Sequence, residues 1–156
     1  LDLSRLIAES EARGRVTLKG PVAHEKVHGL LGSYGAFVLP SRRESYGMVF
    51  VEALFAGIPI LHPRGWGVDR LFADEMVGYA CDASDLADIK AGIRVLVRDE
   101  AVYKARIAEG HRRGAFDHVT REAILAKYDS VLRSVLGTDT RRPSAAPIPP
   151  SDASAS

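Results

Sequence analysis

Two carboxylates stand eight residues apart in the stretch Pro40-Ser-Arg-Arg-Glu44-Ser-Tyr-Gly-Met-Val-Phe-Val-Glu52. The chain there leaves an apolar run, makes a polar turn and enters a helical pattern at about Gly47. A helix start presents up to four unpaired backbone N–H groups and the positive end of the dipole. The amides of Gly47, Met48 and Val49 therefore suit an anion, and in α/β sheets a diphosphate is the usual occupant. Gly47 allows close approach of the backbone. Glu52 lies about one turn into the helix, and helical side chains lean back toward the N-terminus. A carboxylate beside a diphosphate is repelled by it and turns to hydroxyl donors, of which a ribose diol is one. Glu44 can take hydroxyls of a second sugar on the other side of the phosphates. Each residue also has a plainer reading: Glu44 as a solvated loop carboxylate, Glu52 as support for a helix terminus, Arg42 and Arg43 as solvent-facing rather than phosphate-pairing.

Short apolar runs alternating with helical patterns must position this turn. The runs Val16–Leu18, Ala36–Leu39, Ile58–Leu61 and Val77–Cys81 read as four strands, continuous rather than alternating, as in parallel sheets covered on both faces. Helical spacing of apolar residues marks Ser4–Arg13, His24–Leu31, Val49–Phe55, Ser84–Arg98, Glu100–Arg113 and Arg121–Leu136, with one or two turns at Val68–Ala73. Ser84 and Asp85 are candidate N-caps. The fold class that follows is α/β, a parallel sheet of about four strands with flanking helices. In such sheets ligands bind beyond the carboxyl ends of the strands, here at Gly20–Ala23, Pro40–Val49 and His62–Asp69. From Gly137 the composition turns to Pro, Ser, Ala and Thr without periodicity, so 137–156 is expected to be a disordered tail behind a 1–136 domain.

The 156 residues carry 21 Lys and Arg against 20 Asp and Glu, a formal charge of +1. That balance argues against a nucleic-acid-coating surface and a polybasic membrane anchor. One cysteine, Cys81, excludes an intramolecular disulfide and a multi-cysteine metal site. No apolar run reaches the roughly 18 to 20 residues of a membrane span, and the expectation is a soluble, cytoplasmic protein. Gly65-Trp66-Gly67 is half of a dinucleotide fingerprint, but Arg70 occupies its third position, which argues against a dehydrogenase. His24 and His28 share a helix face without an evident third metal ligand.

The stretch Pro40-Ser41, Glu44-Ser-Tyr-Gly-Met-Val, Glu52-Ala-Leu and Gly57-Ile-Pro59 closely resembles the donor-binding motif of the group 1 glycosyltransferases (glycosyltransferase family 4), with Glu44 and Glu52 as its E-x7-E pair. Val16-Thr-Leu-Lys-Gly20-Pro-Val22 is similar to the family's strand and turn beside the nucleobase, and Val77–Asp82 to its last strand. The resemblance implies part of the Rossmann-like C-terminal domain of a GT-B fold. It also implies a retaining enzyme that uses a nucleotide-diphosphate sugar with no cofactor or metal, the base (uracil, guanine or adenine) and the acceptor being open. On matching positions Glu44, Ser45, Tyr46, Gly47 and Met48 would bind the donor sugar. Gly47, Met48 and Val49 would hold the diphosphate, Glu52 the ribose, and Gly20, Pro21 and Val22 would lie on the nucleobase side. Gly65 and Gly67 are weaker candidates beside the donor.

In the family an acceptor-binding half and two strand–helix units precede the segment matched here, and those units supply an Arg and a Lys that neutralise the diphosphate. The chain is accordingly read as a fragment that needs that half as its partner and is inactive alone. A non-catalytic nucleotide- or partner-binding module is the alternative. With the usual order 3-2-1-4-5-6, Val16–Leu18 lacks its neighbour. The expectation is aggregation or direct pairing of Val16–Leu18 with Ala36–Leu39.

Overall fold

The computed structural model describes residues 2–45, 47–72 and 77–137. Tyr46, the helix end expected at Ala73, and the expected tail beyond Gly137 lie outside the described residues. The chain divides into two compact units, one up to Ala115 and one from Phe116.

The first unit is built on a parallel sheet of three strands, β1 (Phe37–Val38), β2 (Ile60–Pro63) and β3 (Gly78–Cys81), in the order β1-β2-β3. Their register pairs Phe37 with Ile60, and Ile60 with Gly78 through Pro63 with Cys81. Neighbours in chain order are what the 4-5-6 half of a Rossmann-like sheet requires. β2, the central strand, is buried throughout because both its edges are paired and both its faces covered. On one face, Leu61 and Cys81 pack with Leu96 of α5 (Leu86–Arg98) and Tyr103 of α6 (Glu100–Arg112). On the other, α3 (Met48–Phe55) inserts Phe50, Val51, Ala53 and Leu54, all buried. Phe50 meets Phe37 edge to face at 5.6 Å and His62 at 6.2 Å. A short helix α4 (Gly67–Leu71) follows β2.

Gly78 is required by close approach, since a Cβ there would stand 1.8 Å from the carbonyl oxygen of Ile60 on the neighbouring strand. β2 also runs two residues further than the apolar run Ile58–Leu61 suggests, through His62 and Pro63. The amides of Ile60 and Arg64 donate toward β3, to Val77 at 3.2 Å and Cys81 at 2.8 Å. By alternation Pro63 would donate toward β1, which has ended, so its missing N–H costs the ladder nothing.

The expected first strand is not one. Val16–Leu18 lies in an irregular segment between α1 (Leu3–Glu9) and α2 (His24–Gly32), with Val16 and Leu18 exposed at 45% and 51%. It does not pair with β1, whose partner is β2, so the sheet has three strands rather than about four and the expected direct pairing is absent. β propensity expresses packing against neighbouring strands rather than a backbone preference, and a three-residue run with no neighbour stays hydrated. α1 also stops earlier than Arg13, where the Ser10 hydroxyl bonds the Ile7 carbonyl at 2.9 Å. α5 is capped as expected: the Asp85 side chain accepts from the Ala87 amide at 2.8 Å.

In the second unit a 3-10 turn, Asp117–Val119, leads into α7 (Arg121–Val135), with Thr120 as its cap. Among the described residues no helix is long and apolar enough to cross a membrane.

Candidate functional site

The turn between β1 and α3 starts where the sheet stops. Leu39 still donates to Leu61 at 3.1 Å, then Ser41 turns back to donate to Leu39 at 2.9 Å around Pro40. The chain passes Arg42 and Arg43, both exposed, and reaches half-buried Glu44. Gly47 caps α3 in the left-handed region, φ 75° and ψ 48°. A Cβ there would lie 2.5 Å from the Phe50 ring and 3.4 Å from the Glu44 Cγ. Glycine thus fills a place where chain direction and space both exclude a side chain, and Glu44 is packed against the head of the helix.

No side chain among the described residues caps α3. Among the described residues, no carbonyl accepts from the amides of Gly47, Met48 or Val49, and the Phe50 amide is the first to turn inward, to Gly47 at 2.9 Å. Glu52 is half-buried on the same helix. Four residues beyond Met48, it sits about 6 Å along the axis from the helix start. Neither the Glu44 nor the Glu52 carboxylate forms a hydrogen bond or ion pair with a described residue. The arrangement offers free donors and a positive dipole at the helix start, with two uncommitted carboxylates close by. Ser45 and Met48 are exposed beside them. Gly20, Pro21 and Val22 lie in the exposed segment before α2, Gly20 with φ 66°, and make no hydrogen bond to the β1–α3 turn among the described residues.

His62, the first residue of the segment His62–Asp69, is part of the support. It is 7% exposed at the end of β2 and holds the Phe50 ring from the sheet side. Burial pushes its pKa below the usual 6.5, against the opposing pull of the Pro63 carbonyl and Asp69, whose carboxylate lies 3.9 Å from Nδ1. Burial thus favours the neutral imidazole. The signal available in the sequence was its place between Leu61 and Pro63 at the end of an apolar run.

A second concavity opens beyond the carboxyl ends of β2 and β3. It measures about 540 Å³ and is lined by Arg42 from the β1–α3 turn, Arg64 and Trp66 from the turn after β2, and Asp82 and Ser84 after β3. Gly65, at φ 78°, turns the chain so that Trp66 reaches the rim, and Gly67 begins α4. Asp88 ties this rim together: it accepts from the Tyr79 hydroxyl at 2.6 Å, the Asp82 amide at 2.7 Å and Arg64 Nη2 at 3.4 Å. The Tyr79 hydrogen bond, with the Asp82 amide second, holds the Asp88 carboxyl below the usual carboxylate range. Asp82 is held low in the same way by the Ser84 hydroxyl and amide.

Comparison with known proteins matches residues 2–113 to the family described as glycosyl transferases group 1. The N-acetyl-alpha-D-glucosaminyl L-malate synthase of Bacillus anthracis is 25% identical over 135 residues, 86% of this chain and 35% of that protein. The D-inositol 3-phosphate glycosyltransferase of Mycolicibacterium smegmatis is 30% identical over 131 residues, 83% of this chain and 30% of that protein. The alpha-D-kanosaminyltransferase of Streptomyces kanamyceticus is 29% identical over 108 residues, 69% and 28%. The chain thus spans about a third of the length of the first two relatives, and the parallel α/β sheet, the turn that carries Glu44 and the helix that carries Glu52 all fall inside the matched segment. The chain belongs to the group 1 glycosyltransferase family.

Proposed function

We propose that this chain is the donor-binding portion of a retaining glycosyltransferase that moves a sugar from a nucleotide-diphosphate sugar to an acceptor. The observation that carries the reading is the start of α3, where Gly47 in a left-handed cap leaves the following amides free while Glu44 packs against it. The amides of Gly47, Met48 and Val49 would receive the diphosphate. As the glycosidic bond breaks, negative charge builds on that leaving group, and preorganised N–H donors stabilise it without reorganising. Glu44 would hold donor-sugar hydroxyls, with Ser45, Tyr46 and Met48 beside it, and Glu52 the ribose diol. Gly20, Pro21 and Val22 are assigned the nucleobase side, and no metal ion or cofactor enters the scheme. Acceptor binding, and any base that deprotonates the acceptor, would come from the part of the enzyme that corresponds to the remaining two thirds of the relatives.

The test is calorimetric titration of the chain with UDP, GDP and ADP. One of the three is expected to bind, with Glu52→Ala weakening it about tenfold, the loss of roughly 1.4 kcal/mol expected when a charged hydrogen-bond partner is removed. Absence of binding by all three, or affinity indifferent to Glu52→Ala, would overturn the reading. In an intact enzyme carrying this segment, Glu44→Ala should lower the rate of sugar transfer by one to two orders of magnitude or about that.

A further inference from the structure

We propose that the cleft beyond the carboxyl ends of β2 and β3 is a carbohydrate subsite that takes a pyranose or cyclitol ring beside the donor site. Its volume, about 540 Å³, lies in the range of small-molecule pockets. Trp66, the one tryptophan of the chain, stands on its rim 42% exposed, although the turn beneath it is fixed. Three hydrogen bonds fix it: Arg64 N to the Cys81 carbonyl at 2.8 Å, Gly65 N to Asp69 Oδ2 at 2.7 Å, and Asp69 N to the Trp66 carbonyl at 2.8 Å. A large apolar ring kept in water on a rigid turn is a surface for the C–H face of a sugar.

The polar groups around it are equally preset. Arg64 Nη2 donates to the Ala80 carbonyl at 2.9 Å and to Asp88, which fixes the guanidinium plane. Asp82 Oδ1 accepts from Ser84 N at 2.8 Å and Ser84 Oγ at 2.6 Å, leaving Oδ2 for a ligand. Arg42 lines the cleft without a hydrogen bond or ion pair to a described residue. A guanidinium and a carboxylate facing one space match the paired donors and acceptors of vicinal hydroxyls. Charge decides against an anion: the two guanidinium groups are offset by the Asp82 and Asp88 carboxylates, and a phosphate would meet Asp82. A neutral polyol suits the mixture.

Its placement beside a donor site rests on the proposed function; the binding of a ring does not. Trp66 supplies the readout, since its fluorescence comes from the cleft alone. The chain is titrated through the millimolar range with methyl α-glucoside, N-acetylglucosamine and myo-inositol, with inorganic phosphate in a parallel arm. At least one polyol is expected to give a saturable blue shift with protection from acrylamide quenching, and Asp82→Asn or Arg42→Ala should raise the half-saturation about tenfold. Arg42→Ala changes an exposed turn residue and serves if Asp82→Asn does not fold. No saturable change with any polyol, a response to phosphate alone, or a polyol response unaltered in a folded variant would overturn the subsite. Nucleotide binding read by calorimetry is a separate measurement: nucleotide binding without polyol binding removes the subsite and leaves the donor reading, and the converse removes the donor reading and leaves the subsite.

Discussion

Gly47 joins the backbone to the chemistry. Its left-handed φ of 75° costs an ordinary residue roughly 1–2 kcal/mol, and a Cβ 2.5 Å from a fully buried ring adds overpacking. Gly47→Ala is expected to destabilise the fold by about 2–4 kcal/mol, read as a lower urea midpoint. Two further residues tie stability to pH. His62 carries a pKa lowered by burial, so the unfolded chain binds its proton more readily than the folded one. Its contribution is present above the unfolded value, about 6.5, and is lost as pH falls from there toward the folded value. Urea midpoints measured between about pH 7 and 5 should therefore decline, and the decline should shrink in His62→Leu. Asp88 acts the same way in a lower window. Its depressed pKa supplies stability above the ordinary carboxylate value of about 3.9, lost as pH falls through the folded value. Asp88→Asn should flatten that acid limb.

Among the elements, β2 sets the order of the rest. Paired on both sides and buried along its length, it is expected to hold the slowest-exchanging amides of the sheet. Among the described residues β1 has only β2 beside it, and Val38 is 39% exposed. Its amides should exchange faster, and those of residues 16–23 should exchange without protection. Slow exchange at Val16–Leu18 in native-state hydrogen exchange would show a pairing that the structure lacks. Gly78 is the tightest point between strands. With 1.8 Å available to a Cβ against backbone, Gly78→Ala forces β3 away from β2 and should cost more than about 3 kcal/mol, enough to lose cooperative unfolding.

The molecule as a whole spans about a third of the length of its first two relatives. The site described here offers the free amides at the start of α3 and the carboxylates of Glu44 and Glu52. On the proposed function, in which another part of the enzyme holds the acceptor, the 156-residue chain is expected to bind a nucleoside diphosphate without turning over the corresponding nucleotide sugar. Measurable release of nucleoside diphosphate by the purified chain with any of the three sugar donors would contradict this.

Much of this was legible in the residues alone. Continuous apolar runs at Ala36–Leu39, Ile58–Leu61 and Val77–Cys81 locate the three strands, and Glu44, Gly47 and Glu52 announce a helix start with flanking acids, because these signals depend on local spacing and backbone geometry. Val16–Leu18 has the same β-prone composition and is no strand, since a strand exists only with a partner, and pairing is not a local property. The segments carrying Arg42 and Trp66 were legible as strand ends at the ligand side of the sheet, but Asp82 joining them around one cleft and His62 lying under Phe50 were not. The partners that meet, His62 with Phe50 and Arg42 with Trp66 and Asp82, stand 12 to 40 positions apart, and no periodicity links them; the parallel register of β2 and β3 brings their strand ends to one edge, and packing then sets the side chains against each other.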